Sequence, residues 1–314
     1  MIIGIDHIVI LVPDLAQAEH DYTTLGFTVT PGGEHAGGLT HNALIALADG
    51  SYLELIAFRD TDPLPAALSA KGKADLEALA HPEKAKSEPP APVVALDGAG
   101  EKIARRSHAP LRTPQSAGLA ALTRRWMARR AMGAGLLDYA LLPTAINEDV
   151  AAAQARGMTL DGPTPGSRLR PDGQTVAWQT AIPSTADLPF LCADLTERDL
   201  RVPPGAAREH ANGVTGVAEI TLAVQDRTAS TARYHTLLDL DPQSEEGTSV
   251  FPLGAALIRL RQPGPGDAAM RAHLVAYDDG AWSVALRGPH GRLVGGLVPT
   301  GEGVEFRWTV EDAD

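Results

Sequence analysis

Residues 4–27, GIDHIVILVPDLAQAEHDYTTLGF, and 35–58, HAGGLTHNALIALADGSYLELIAF, decide the reading of the fold. Gly4 to Val12 is an Ile- and Val-rich run of strand length with Asp6 and His7 inside it. Pro13 ends the run, and Asp14 with Gln17 three residues later has the spacing of a capping box. Leu15, Ala18, Tyr22 and Leu25 recur at helical spacing, and Gly26 is placed to close the helix in the left-handed region. Strands are expected near Thr28, over His41 to Leu47 and over Tyr52 to Ala57, the last two joined by the turn Ala48-Asp49-Gly50. The order is βαβββ. His7, His41 and Glu54 fall on three of its strands as candidate metal ligands.

The same unit recurs. A shift of 212 residues lays GVAEITLAVQDRTASTARYHTLLDL on the first stretch, with Gly216 on Gly4, Asp226 on Asp14, Tyr234 on Tyr22 and Glu219 on His7. A shift of 131 gives a weaker match, with Gly135 on Gly4, Gly157 on Gly26 and Asp138 on His7. Residues 168–173 (RLRPDG) then read as a strand end and turn, followed by strands in GQTVAWQTAIP and LPFLCADL. These spacings predict an α+β fold of about three βαβββ units with a β-rich tail that completes the last sheet and has no helix of its own. The expected divisions are 1–60 for the first unit, 61–133 for a helical connection, 134–200 for the second unit and 214–314 for the third with its tail. Residues 81–116, rich in Pro, Ala and Lys, read as a disordered insertion. Leu119 to Met132 reads as a helix whose Arg124, Arg125, Arg129 and Arg130 form either a solvated face or a local anion-binding face.

Composition narrows the function. With 27 basic and 39 acidic residues the net charge is −12, which argues against a nucleic-acid or anionic-membrane partner. A single cysteine, Cys192, precludes an internal disulfide and fits a reducing compartment. The start lacks a basic leader, and no window approaches the length of an apolar span, so a soluble cytoplasmic protein is expected. Aromatics are only 4%, which leaves aliphatic side chains to build most of the interior.

The pattern D-H, apolar strand, P-D-L, then LGF, GG-x-H, THN and YLELIAF resembles the glyoxalase-like branch of the vicinal oxygen chelate superfamily. The likeness continues through Gly157, residues 168–173, Trp178 and Leu188 to Leu191. It implies paired βαβββ units whose sheets curl into a cup holding a divalent metal (Fe, Mn, Ni or Zn), with ligands from the first and last strands of a unit. Those positions are His7, Glu54 and, in the paired unit, Asp138. The superfamily includes isomerases, extradiol dioxygenases, epimerases and metal-free drug-binding proteins, and its units pair within chains or between them, which leaves a homodimer open.

Period-two patterning puts His7 on one face with Val9 and Leu11, and Glu54 on one face with Tyr52 and Ile56. His41 on the adjacent strand would complete two imidazoles and a carboxylate, a set suited to Fe(II) or Zn. The bland alternative is a hydrogen-bonded core histidine and a Glu54 paired with an arginine such as Arg168. His35 lies in a Gly-rich stretch expected to be a flexible lid, as a rim residue touching substrate. Asn42 and Trp178 are candidate substrate contacts, Arg168 a clamp for a substrate carboxylate, and Glu54 the candidate catalytic carboxylate. Two functions follow: a metal-dependent isomerase, lyase or dioxygenase acting on a small oxygenated ligand, or a metal-free protein that sequesters a small molecule.

Overall fold

The computed structural model describes residues 1–36, 38–59, 122, 125–127, 129–130, 133–299 and 304–308. The predicted insertion at 81–116 and the helical pattern from Leu64 to Leu79 lie outside them, as does Gly37. The first unit is β1 (Ile2–Leu11), α1 (Leu15–Thr24), β2 (Thr30–His35), β3 (Thr40–Ala46) and β4 (Tyr52–Phe58). Its helix begins and ends as its sequence dictates. Asp14 Oδ1 accepts from the Gln17 amide at 3.1 Å, and Gly26 takes a φ of 86° after the last turn.

The second unit is β5 (Gly135–Pro143), α2 (Ile146–Ala155), β6 (Leu160–Leu169), β7 (Thr175–Pro183) and β8 (Phe190–Asp194). The two units close into one barrel, in the order β1-β4-β3-β2-β6-β7-β8-β5. One junction is long: β1 runs antiparallel to β5, with Val9 opposite Asp138. The other is short, with only Glu34 opposite Leu169 and His35 opposite Arg168.

That short seam overturns the lid reading for Gly32 and Gly33. Gly32 and Gly33 lie inside β2, where glycine permits close approach. A Cβ on Gly33 would sit 2.1 Å from the Leu169 carbonyl oxygen, and one on Gly32 2.1 Å from Asn42 Oδ1. Backbone pairing holds this strand, and His35 with it, in the barrel wall.

Alternation along β1 sorts its side chains. Ile5, Ile8 and Ile10 pack outward into the main core, and Val9 and Leu11 pack inward with Ile56, Leu137, Ala140 and Phe190. A bulge between Ile5 and His7 breaks the alternation beside the cavity. The extra residue lets both Asp6 and His7 lie on the inner side. The equivalent step recurs in β5, where the register slips between Asp138 and Leu136.

A short helix α3 (Arg198–Arg201) follows the barrel and leads into β9 (Gly216–Ala223), α4 (Arg227–Leu238), β10 (Gln243–Glu245), β11 (Thr248–Leu253) and β12 (Ala256–Arg261). Then come α5 (Ala268–Tyr277), β13 (Gly280–Arg287), β14 (Leu293–Pro299) and β15 (Val304–Trp308). These strands form an open sheet in the order β10-β11-β12-β9-β13-β14-β15. The helix α5 was not expected. Met270, Leu274 and Tyr277 stand at helical spacing in it, but only Met270 is buried. The outer face of the barrel and the inner face of this sheet share one core, in which Ile8 and Ile10 join Ile220, Leu222 and Tyr234. Tyr139 and Tyr234 meet hydroxyl to hydroxyl at 2.5 Å across it. Among the described residues no helix is long and apolar enough to cross a membrane.

Candidate functional site

The barrel encloses a cavity of ≈ 490 Å³. Its polar side is built by His7, His35, Thr40, Glu54 and Arg168, and its apolar side by Phe58, Leu122, Trp126, Trp178 and Phe190. Glu54 is 4% exposed and is the centre of the polar side. His7 Nε2 lies 3.5 Å from Glu54 Oε2, and His35 Nε2 lies 3.5 Å from Oε1. Asn42 Nδ2 donates to Oε1 at 2.6 Å. Burial pushes the Glu54 carboxyl up, but His35, His7, Asn42 and Arg168 together outweigh it and hold it below the usual range. Glu54 is a carboxylate at neutral pH.

The far side of each imidazole is tied back. Asp6 accepts from His7 Nδ1 at 2.6 Å, and Thr40 Oγ1 lies 2.9 Å from His35 Nδ1. Tyr52 stacks on the His7 ring with centroids 4.6 Å apart. Asp6 is fully buried and also takes Arg201 Nη1 at 2.7 Å, Arg201 Nη2 at 2.9 Å and Arg198 Nη1 at 2.8 Å. Burial alone would raise its pKa; Arg201 and His7 reverse that and keep it well below the usual carboxylate range. An anionic Asp6 only accepts, so His7 carries a proton on Nδ1. Burial lowers the pKa of His35 against the opposing pull of Glu54. Two imidazole Nε2 atoms thus point at the two oxygens of one buried carboxylate, each at a distance too long for a hydrogen bond.

His41 is corrected. Its neighbours Thr40 and Asn42 turn inward, so the period of two sends His41 to the outer side. There its charged surroundings are Arg59, Glu34, Glu19 and Asp14, none of which lines the cavity. His35 stands in the place expected for it. Asp138 is on the inner side but engaged: Arg125 Nη2 donates to it at 2.8 Å, Trp126 Nε1 at 3.0 Å and the Tyr139 amide at 2.9 Å. Arg168 and Trp178 line the cavity, with the Trp178 ring edge-on to His35 at 5.8 Å. Asn42 acts on Glu54 from beside the cavity; its Oδ1 is buried without a partner among the described residues.

Asp6, Tyr52, Arg201 and Cys192 were not anticipated. The one signal for them was the Asp6-His7 pair, two polar residues in succession inside an apolar strand, which a bulge accommodates on one face. In the open sheet the counterpart of this centre is closed off. Glu219 lies opposite Leu257 as His7 lies opposite Tyr52, so Arg259 occupies the position of Glu54. Arg259 Nε donates to Glu219 Oε2 at 2.6 Å, an ion pair where the barrel has an imidazole and a carboxylate.

Two groups of side chains offer donors for a divalent metal. Asp6, His7 and Cys192 bring three ligand atoms within 4.8 Å of one another. They do not fit a cation. Asp6 is saturated by two guanidinium groups, and burial pushes the Cys192 thiol up, so it stays protonated. His7, His35 and Glu54 offer suitable donor chemistry, two imidazole Nε2 atoms and a carboxylate with each Nδ1 held by an oxygen behind it, but their ligand atoms do not all lie within 4.8 Å of one another, so a metal would have to draw the two imidazoles together.

The sequence profile of a family described as a glyoxalase-like domain matches residues 5–238. The chain belongs to that glyoxalase-like family, within the vicinal oxygen chelate superfamily. Among solved structures, this glyoxalase-like protein is similar to a hypothetical protein from Staphylococcus aureus, with a TM-score of 0.61 and 12% identity over 96% of this chain and 97% of that one. That likeness shows a shared fold. A 4-hydroxymandelate synthase variant from Streptomyces coelicolor matches with a TM-score of 0.45 and 13% identity over 90% of this chain and 70% of that one. A xylose isomerase-like TIM barrel/4-hydroxyphenylpyruvate dioxygenase fusion protein matches with a TM-score of 0.44 and 14% identity, over 91% of this chain and 36% of that one. A comparison with curated proteins finds no match.

Proposed function

We propose that the cup is the metal centre of an enzyme acting on a small oxygenated molecule, by isomerase, lyase or dioxygenase-type chemistry, with His7, His35 and Glu54 as protein ligands. One observation carries this reading. Each oxygen of the Glu54 carboxylate has an imidazole Nε2 at 3.5 Å, so the polar side of the cup gathers the donor types that a divalent cation takes. A divalent metal held there supplies Lewis-acid polarisation of a carbonyl or enediolate oxygen.

The chain's own residues do the rest. Asp6 keeps the His7 proton on Nδ1 and leaves Nε2 free to ligate. Asn42 fixes the rotation of the Glu54 carboxylate through Oε1. Trp126, Trp178, Phe58 and Phe190 keep water from the polar side and strengthen every charge interaction there.

The test is metal analysis of protein purified without chelator. Stoichiometric Fe, Mn, Ni or Zn is expected. Uptake should be lost in His7→Ala, His35→Ala and Glu54→Ala and kept in His41→Ala. No stoichiometric metal, together with no thermal stabilisation on adding these ions, would sink the proposal.

A metal-free sequestering protein is the second reading. It is favoured by Asp138, the ligand position of the paired unit, which is taken up by Arg125 and Trp126. On that reading Glu54 and the two imidazoles serve as hydrogen-bonding groups for the bound molecule.

A further inference from the structure

Among the described residues of the cavity wall, Arg168 is the guanidinium that makes no ion pair. It is 3% exposed and lies on β6 opposite His35, at the short seam of the barrel. Of its five N–H donors, Nη2 donates to the Arg201 carbonyl oxygen at 2.8 Å, while Nε is buried with no partner among the described residues. It makes no ion pair among the described residues, although Glu54 is close enough to act on it through space. The other cavity guanidinium, Arg201, is saturated by Asp6, Asp194 and the Tyr52 hydroxyl. A buried cation with unused donors is costly unless a ligand completes it.

The ligand's class follows from what surrounds that cation. A planar fork of N–H donors matches a carboxylate. Only one such fork is free, and the Glu54 carboxylate stands nearby, so in the metal-free protein a dianion such as a phosphate monoester would meet repulsion without a second cation to offset it. The large side chains of the wall are mostly apolar or aromatic, Phe58, Leu122, Trp126, Trp178 and Phe190, beside a few hydroxyls such as Ser167 and Thr180. The Trp126 ring is fixed, because its Nε1 donates to Asp138. We infer that the cup binds a monocarboxylate with a bulky apolar or aromatic body, the carboxylate on Arg168 and the body between Trp126, Trp178 and Phe190. This deepens the proposed function by naming the substrate class of the same cavity, but the Arg168 contact does not require the metal.

The experiment is calorimetric titration of chelator-treated protein with 3-phenylpropionate, its uncharged amide and phenyl phosphate. The acid should bind at least tenfold more tightly than the amide and than phenyl phosphate, the increment of a charge-assisted pair. Arg168→Met should remove the preference for acid over amide, and Arg168→Lys should retain part of it. Equal binding of acid and amide by the wild-type protein, tighter binding of the phosphate, no binding of the acid up to millimolar concentration, or a preference that survives in Arg168→Met would each overturn the inference. The wild-type comparison decides the matter even if Arg168→Met fails to fold. Because these titrations contain no metal, their failure would leave the metal-uptake result standing, and failure of metal uptake would leave the acid preference standing.

Discussion

Asp6→Asn should be the most destabilising single isosteric change in the barrel. Asp6 is fully buried and receives four N–H donors: His7 Nδ1, Arg198 Nη1, and Arg201 Nη1 and Nη2. Asparagine leaves one accepting oxygen and turns an amide N–H₂ toward groups that can only donate. Arg201, 1% exposed, would keep only Asp194 as its carboxylate partner, through bonds of 2.5 and 3.1 Å. Removing one partner of a buried, hydrogen-bonded charge typically costs about 3–5 kcal/mol. For a chain of this size that corresponds to a fall in Tm on the order of 10 °C.

Urea and thermal unfolding at pH 7 would measure it, with the double variant Asp6→Asn/Arg201→Met completing a cycle. A coupling of at least about 2 kcal/mol is expected between two groups in direct contact. The dependence on pH has a definite sign. The Asp6 pKa is lowered in the folded state, so its contribution is complete above the unfolded carboxyl value of about 3.9 and fades as pH falls below it. The gap between wild type and Asp6→Asn should therefore narrow in acid. A loss below about 1 kcal/mol at pH 7, the range of a surface pair, would refute the reasoning that this network is a desolvated one.

Other outcomes follow from the same geometry. Gly32→Ala would set a Cβ 2.1 Å from Asn42 Oδ1 and push the amide off Glu54, at a cost of about 1.5–3 kcal/mol for a bond to a charged group. Adding Asn42→Ala to it should then change unfolding little, and full additivity would exclude the mechanism. Burial and Arg129 lower the pKa of His273 to about 4, so the unfolded state, titrating near about 6.5, binds more protons between those values. Stability should fall as pH drops through that window and fall less in His273→Phe; parallel profiles would remove His273 as the cause. Tyr139→Phe breaks the hydroxyl contact to Tyr234 between barrel and sheet and should cost about 1 kcal/mol in chemical unfolding, a neutral result meaning that Tyr234 is satisfied by the Asp187 carbonyl alone.

The order of elements was legible in the chain because it rests on short-range chemistry. Asp14 caps α1, Gly26 ends it, and the alternation of β1 and β4 puts His7, Val9 and Leu11 on one face and Tyr52, Glu54 and Ile56 on another. The composition of the site was only half legible. The sequence pattern puts His41 on a strand and His35 in a glycine-rich stretch, and so favours the wrong histidine. Yet Gly32 and Gly33 are there for the close approach of β6 and Asn42, a contact between residues more than a hundred positions apart in the case of Leu169. Arg201 could not be selected among the other arginines, since its partner Asp6 lies 195 residues away.

What the sequence by itself determined was the βαβββ pattern, its repetition, and the two side chains, His7 and Glu54, that period two sends to a common interior. What only the tertiary structure decided was which further groups meet them. Closure of two units into one barrel brings His35 beside Arg168 across a two-residue seam, and the bulge at Asp6 turns a second polar residue inward. Local propensity and periodicity act over a few residues. The electrostatics of a buried carboxylate depend on every group the fold packs within a few ångströms of it, and sequence distance carries no record of that.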